Sequence, residues 1–208
     1  MLTDRKRYLL DPPALSDLTA PGCQDRAAVI PGLVTEAQRG DRESFGRIFD
    51  LYHLPVYRYV LARVGSAADA EDIAAETFVA AFGAIGRFRW QGPPFEAWLF
   101  RIARSKIADH QRRLHRRPPP ANIDACAPDL LVGDEDVANQ VVRRDEQQRV
   151  LGAMSHLSND QRDVLALRFF AGLSLEEAAG ALGRSPAAVK QLQFRAVTAL
   201  RRRMEVKQ

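Results

Sequence analysis

The chain has 208 residues, of which 46% are hydrophobic, and its 30 Lys and Arg against 26 Asp and Glu give a net charge of +4. This composition predicts one or two packed domains and argues against a wholly disordered chain. Two cysteines support neither a disulfide framework nor a cysteine-based zinc site. No apolar run approaches the roughly 18 residues of a membrane span, and the N-terminus lacks the apolar core of a secretory signal. We therefore expect a soluble cytoplasmic protein.

The N-terminal part begins without a helical pattern. Residues 1–30 combine prolines, Gly22 and mixed charge, which predicts a flexible leader. From Pro31 onward, apolar residues recur at the i, i+3, i+4 and i+7 spacing of amphipathic helices. This spacing predicts a first helix, a second helix capped by Asp41, and a third helix that begins near Leu54.

The next two helices have clearer boundaries. Ser66 has the spacing of an N-cap for a helix with apolar stripes, and a long helix is predicted from Phe95 to about His115. A run of three prolines ends that helix, because proline lacks the backbone donor and disfavours the helical conformation before it. An acidic linker at 118–136 then separates a predicted domain at 31–117 from a second one at 137–208.

The second domain is also predicted to be helical, and no convincing strand occurs anywhere in the chain. Ser158 and Ser174 each lead a capping box, and Gly183 suits the turn after a helix. These signals predict helices near 137–156, 159–171, 175–182 and 186–204.

The last two predicted helices have the order of a helix-turn-helix: a short helix, a three-residue turn and a longer basic helix. Cations and amides near the start of such a helix reach base edges and phosphates in the major groove. The alternative is a helical hairpin whose charges are only solvated. The residues predicted to face DNA are Arg184, Lys190, Gln191, Phe194 and Arg195.

Two further patterns lie in the first domain. Asp69, Asp72 and Glu76 share one helix face, where they either favour the helix dipole or form an acidic docking stripe for a basic protein surface. Between 85 and 117, aromatic residues are interleaved with bases, a pattern that suits stacking on unpaired nucleic-acid bases. Aromatic residues at helical spacing usually belong to the core, so Trp90, in a glycine-containing break, is the stronger candidate for exposure.

Taken in order, these motifs resemble those of the extracytoplasmic-function (ECF) sigma factors of the sigma-70 family, which are initiation subunits of bacterial RNA polymerase. The core-polymerase-binding signature of that family is similar to DAEDIAAETF. Its minus-10 helix is similar to FEAWLFRIARSKIADHQRR, and its minus-35 element is similar to LSLEEAAGALGRSPAAVKQLQFRA. The resemblance covers about residues 33–204. It implies an all-α fold of two small helical domains, sigma domain 2 and a helix-turn-helix sigma domain 4, joined by a flexible linker.

The resemblance also implies partners and roles. Asp69, Asp72 and Glu76 would face the β′ clamp helices of core RNA polymerase, whose β flap is a further contact. Promoter DNA would be opened at the minus-10 element by flipping a base out of the duplex, and an anti-sigma factor would hold the protein inactive. The minus-35 contacts would be the five residues named above, and the minus-10 contacts would be Phe88, Trp90, Arg101, Arg104, Ser105, Asp109 and Arg112.

Other functional classes have less support. No P-loop or dinucleotide fingerprint occurs, and the four histidines form no clear metal-ligand set, so we expect no enzyme activity, no metal and no cofactor. One alternative is a free-standing helix-turn-helix regulator that binds duplex operator without polymerase. Another is an adaptor that docks on polymerase without opening DNA.

Overall fold

The computed structural model of the chain describes residues 23–90, 92, 94–116 and 149–205. Every regular element within these residues is a helix, which confirms the predicted all-α fold. The N-terminal domain consists of α1 (Cys23–Gln38), α2 (Arg42–Val64), α3 (Ala67–Ala84), a 3₁₀ turn (Ile85–Arg87) and α4 (Phe95–Arg116). The C-terminal domain consists of α5 (described over 149–154), α6 (Asn159–Leu165), a π-helical turn (Ala166–Phe170), α7 (Leu175–Leu182) and α8 (Pro186–Glu205).

Some predictions lie outside the described residues. These are the leader up to residue 22, the linker at 118–136 and the start of the second domain up to residue 148.

The predicted capping residues begin and end the helices. Asp41 and Ser66 accept backbone N–H groups at the starts of α2 and α3. Ser158 and Ser174 each make both hydrogen bonds of a capping box, at the starts of α6 and α7. Gly183 ends α7 with a φ of 65°, in the left-handed region that glycine adopts without a Cβ clash. These signals therefore position the helix-turn-helix as predicted.

The first helix begins earlier than predicted. The sequence pattern predicts a start at Pro31, but α1 begins at Cys23, so residues 23–30 are helical and do not belong to a flexible leader. Ile30 is buried and extends the stripe of Leu33, Val34 and Ala37 toward the N-terminus. The prediction is wrong because it gives a proline signal more weight than an apolar stripe that continues across it.

A second predicted boundary is also wrong for that reason. A separate helix was expected from Leu54, whereas α2 continues through Pro55 to Val64. Proline removes one backbone hydrogen bond from a helix interior. Tyr52 and Val56 are fully buried on either side of it, so packing offsets that loss.

The helices of both domains share one continuous hydrophobic core. In the N-terminal domain α2 packs against α1 and α3, and α4 packs against α3 and α2. In the C-terminal domain α8 packs against α6 and α7. The two domains are in direct contact, because α4 packs against α7 and α2 packs against the π-helical turn.

The π-helical turn itself was not predicted. The sequence pattern predicts an ordinary helix over 159–171, but after Leu165 the backbone widens into a π-helical turn of five residues. This turn lies where α2 of the other domain packs, so its geometry accompanies a long-range contact that local periodicity does not reveal.

The described part of the chain contains neither a membrane-spanning helix nor a cluster of metal ligands. None of its helices has the length and apolarity that crossing a bilayer requires. It likewise contains no cluster of three or more His, Cys, Asp or Glu side chains suited to a metal ion.

Candidate functional site

The predicted acidic stripe lies on the solvent side of α3. The opposite side of the helix is fixed in the core by Ile73 and Phe78, among other buried residues. Asp72 and Glu76 line a shallow groove together with Val79. These three residues follow the i, i+4, i+7 spacing, which places them on one helix face.

Two apolar residues on this surface were not recognised as functional candidates from the sequence. Val79 is 75% exposed and Phe82 is 50% exposed. The Phe82 ring makes an edge contact with Phe45, at a centroid distance of 4.9 Å. The composition of α3 could have indicated this exposed apolar surface, because the helix has more apolar residues than a single buried face requires.

The groove has a basic wall that the sequence pattern did not show. Glu76 lies 3.5 Å from Lys106 Nζ and 3.6 Å from Arg113 Nη2, both on α4. Asp69 lies 3.8 Å from His110 Nε2. The α3 helix contains no basic residue, but α4 places basic side chains on the other side of the groove. Ion pairs of this exposed kind contribute little to stability and exchange readily for other partners.

The loop before α4 presents Trp90 from an aromatic cluster. Trp90 is 46% exposed, as predicted, and its ring packs edge-on against Phe88 with the centroids 5.0 Å apart. Phe88 is buried and also contacts Phe95 and Trp98. Phe88 was predicted to contact DNA, but its burial makes it a support for Trp90 instead.

A side chain of α1 also hydrogen-bonds to this loop. The Gln38 side-chain amide donates to the carbonyl of Ile85 at 3.0 Å and to that of Phe88 at 2.8 Å. One side chain of α1 therefore binds two backbone carbonyls at the start of this loop. No sequence pattern singled out Gln38, because its partners lie about fifty residues away.

The predicted minus-10 residues of α4 lie along one side of the helix, but two of them contact the C-terminal domain. Arg101 Nε donates to the carbonyl of Gly180 at 2.8 Å, and Arg104 Nε donates to Asp163 at 3.0 Å. Ser105 is exposed. Further along the helix, Asp109 and Arg112 form an ion pair with each other. Both arginines near the start of the face therefore bind groups of the C-terminal domain.

A buried ionic cluster surrounds Asp163. Its carboxylate lies 2.7 Å from Arg63 Nε, and the Tyr59 hydroxyl donates to it at 3.0 Å. Burial, and then the charge of Asp163, raise the pKa of Tyr59 well above its usual range, so the hydroxyl remains a donor. No sequence pattern indicates this cluster, because its members come from α2, α4 and α6.

The predicted minus-35 residues all lie on one exposed face around the start of α8. Lys190, Gln191, Phe194 and Arg195 are exposed, and Phe194 exposes 63% of its surface. Arg184, also exposed, forms an ion pair with Asp160 of α6. The opposite face is buried against α6 and α7, through Val189, Ala196 and Leu200.

This arrangement suits the recognition of nucleic acid and of a protein partner. An exposed Phe side chain on a basic helix offers apolar contact to a thymine methyl group, while Lys, Arg and Gln offer donors to bases and phosphates. An exposed Trp on a supported loop offers a stacking surface. Acidic and apolar side chains on α3 offer a surface for a basic protein.

Comparison with known proteins gives the same functional class. Residues 48–117 match the family described as Sigma-70 region 2, and residues 153–202 match Sigma-70, region 4. The chain is 37% identical over 190 residues to the ECF RNA polymerase sigma factor BldN of Streptomyces coelicolor, which covers 88% of this chain and 68% of BldN. It is 34% identical over 177 residues to SigD of Mycobacterium tuberculosis, which covers 83% and 82% of the two chains.

Solved structures have the same fold. CnrH in complex with the cytosolic domain of CnrY has a TM-score of 0.64 and 27% identity, over 85% of this chain and 97% of CnrH. RpoE from Bartonella quintana, in complex with the anti-sigma factor NepR, has a TM-score of 0.58 over 80% of this chain and 99% of that one; at 23% identity it supports the fold alone.

The matches and the two helical domains define an RNA polymerase sigma factor of the sigma-70 class. Within that class, the chain belongs to the ECF sigma factors. It is a transcription initiation factor that directs RNA polymerase to promoters, and it is not an enzyme. This assignment decides against the free-standing regulator.

Proposed function

We propose that the exposed face of α3 binds core RNA polymerase through the β′ clamp helices. The observation that carries this proposal is the stripe of Asp72, Glu76 and Val79, in which two carboxylates adjoin a side chain that is 75% exposed. Acids give such an interface its orientation, and buried apolar surface gives it affinity. Asp69, beside the stripe, contributes charge.

The loop before α4 and the exposed side of α4 bind the minus-10 element in this proposal. Trp90 stacks on an unpaired base, with Phe88 as its support. Arg101, Arg104 and Arg112 contact phosphates, and Ser105 and Asp109 offer hydrogen bonds to a flipped base. The exposure of Trp90 supports this assignment, because stacking requires an accessible ring.

The start of α8 binds the minus-35 element in the major groove. The five exposed residues there present four polar or charged side chains and one aromatic ring on a single face, namely Arg184, Lys190, Gln191, Phe194 and Arg195. The continuous burial of the opposite face supports this assignment, because it fixes which side of the helix remains for DNA.

We further propose the remaining organisation of the chain. Sigma domain 2 occupies 31–117 with its helical extension to Cys23, a linker follows at 118–136, and sigma domain 4 occupies 137–208 and contacts the β flap. The protein acts in the cytoplasm and is held inactive by an anti-sigma factor. A protein-bound relative supports the binding of a protein partner, since CnrH was solved in complex with the cytosolic domain of CnrY.

Charge reversal on α3 tests the polymerase interface. Reversal at a neighbouring position outside the proposed face shows whether the position of the charge matters. We expect Asp72→Lys to weaken association with core polymerase by at least about tenfold, because a like-charge contact across an interface costs more than about 1.4 kcal/mol. The matched control is Glu71→Lys, which makes the same kind of change one residue away on the same helix.

The measurement is a binding titration with labelled protein and purified core polymerase, with circular dichroism to verify that both variants remain helical. Unchanged binding by Asp72→Lys, or an equal loss in both variants, contradicts the proposed face.

A further inference from the structure

The loop that carries Trp90 begins with a tight turn whose two ends bind one side chain. Residues 85–87 form the 3₁₀ turn, which the Phe88 N–H closes by donating to the Ile85 carbonyl at 3.0 Å. The Gln38 side-chain amide donates to that same carbonyl at 3.0 Å and to the Phe88 carbonyl at 2.8 Å. Gln38 therefore joins the first and the last residue of the closed turn.

A glutamine amide suits this arrangement because its nitrogen carries two hydrogens. One Nε2 atom can therefore donate to two acceptors at once. An ionised glutamate has the same size and no donor, and a methionine side chain of similar length has no donor either. Both substitutions preserve the length of the side chain and remove the two hydrogen bonds.

Gln38 is itself held in a fixed position. It is the last residue of α1, it follows the buried Ala37, and it is half-buried. The α1 helix packs against α2 and against the 3₁₀ turn. After Gln38, the Gly40 N–H donates to the Ala37 carbonyl at 3.1 Å, and Asp41 caps α2. The packing of α1 therefore determines where the amide lies.

Phe88 is consequently held through both its backbone and its ring. Its carbonyl accepts from Gln38, and its buried ring contacts Phe95 and Trp98 of α4. Trp90 follows two residues later and packs edge-on against the Phe88 ring, at a centroid distance of 5.0 Å. The direction in which the chain leaves Phe88 therefore determines where the exposed Trp90 ring lies.

We propose that Gln38 is a positioning residue for promoter opening, which holds the turn at 85–88 in the conformation that presents Trp90 to an unpaired base. The proposal rests on the assignment of Trp90 to the minus-10 element. A binding surface that is ordered in advance loses less conformational entropy when its ligand binds. Gln38 acts through the loop and not by contact with DNA, so its replacement weakens the capture of a base and leaves the α3 face intact.

The test uses the full chain with Gln38→Met, assembled with core RNA polymerase. Gln38→Glu is the second variant, because it has the shape of the native side chain and also lacks the donors. Thr35→Val is the matched control, since it removes a side-chain donor without a change of shape on the exposed side of α1. Circular dichroism and a titration with core polymerase verify that each variant is folded and binds the enzyme as the wild type does.

Each holoenzyme is titrated with a labelled single-stranded oligonucleotide that carries the upstream sequence of a start site mapped with this protein and core polymerase. We expect the affinity to fall about tenfold in both Gln38 variants, as for a loop whose binding-competent conformation is populated about a tenth of the time. Thr35→Val should bind the oligonucleotide as the wild type does.

A double-mutant cycle separates positioning from general damage to the domain. In the Trp90→Ala background, Gln38→Met should cause little further loss of affinity, because two residues that act through one contact are not additive. General damage to the domain would lower the affinity to the same extent with and without the Trp90 ring.

The fluorescence of Trp90 reports the order of the loop directly. The chain has two tryptophans, so Trp98→Phe leaves Trp90 as the single fluorophore of this kind. We expect the anisotropy decay of the protein without DNA to show a larger nanosecond motion of this ring with Gln38→Met than with Thr35→Val.

Three results overturn the proposal. The first is unchanged oligonucleotide affinity in both Gln38 variants when Trp90→Ala binds weakly, and the second is an equal loss from Gln38→Met in both backgrounds. The third is an unchanged anisotropy decay, which would show that Gln38 does not order the loop. Failure of the proposed function is distinguishable, because Trp90→Ala would then leave the affinity unchanged while the effect of Gln38→Met on the anisotropy remained.

Discussion

At the scale of single residues, Trp90 is the side chain on which promoter opening depends most in this account. It stands at the edge of the aromatic cluster, and nearly half of its surface is exposed. We expect Trp90→Ala to reduce promoter opening with core polymerase, because stacking on one unpaired base contributes about 1–3 kcal/mol. Permanganate reactivity of unpaired thymines measures opening directly.

Trp90→Phe is the matched control, since it keeps a stacking ring and should recover most of the reactivity. An alanine variant that opens promoters as fully as the wild type would support the adaptor that docks without melting DNA. Binding of core polymerase should be the same in all three proteins.

Residue-level predictions from the sequence succeeded where local context decides exposure. The glycine-containing break predicted the exposure of Trp90, and the cap signals predicted the starts of α6 and α7. Phe88 was misassigned because its burial depends on Phe95 and Trp98, which reach it only after the loop folds back. Asp163 was overlooked for a similar reason, since its partners lie in other helices.

At the scale of elements, α8 is expected to supply the ionic part of promoter affinity. Neutralising two phosphate contacts with Lys190→Ala and Arg195→Ala should reduce the slope of log affinity against log salt by about 2. The measurement is promoter binding by polymerase holoenzyme at several salt concentrations.

Replacement of Arg202 and Arg203 by Ala is the control, because it removes two charges from the last turn of the same helix. It should change the slope much less. An equal change in both double variants would mean that α8 attracts DNA through net charge and not through its initial face.

Helix existence was predictable from the sequence, whereas some helix boundaries were not. Apolar periodicity and capping residues located the helices of the described chain, because these signals act within a few residues. Helix starts were predicted wrongly at Pro31 and near Pro55. Both prolines lie inside helices, where tertiary packing outweighs the loss of one backbone hydrogen bond. The π-helical turn contacts α2 of the other domain and left no local signal.

At the scale of the whole molecule, the order of the motifs identified two domains and their family, but their mutual packing was not predictable. The contact of α4 with α7 and the ion pairs of Asp160 and Asp163 join segments that are far apart in the chain. A pattern within one segment carries no information on such contacts. The mutual packing of the domains therefore follows from the structure and not from the sequence.

The most direct measurement of the central claim is run-off transcription on fragmented genomic DNA of the source organism, with purified core polymerase in the presence and absence of this protein. The account predicts discrete new transcripts whose start sites share two spaced upstream elements. These transcripts should be lost with Asp72→Lys and retained with Glu71→Lys. No new start sites, from a core enzyme that responds to another sigma factor, would contradict the account.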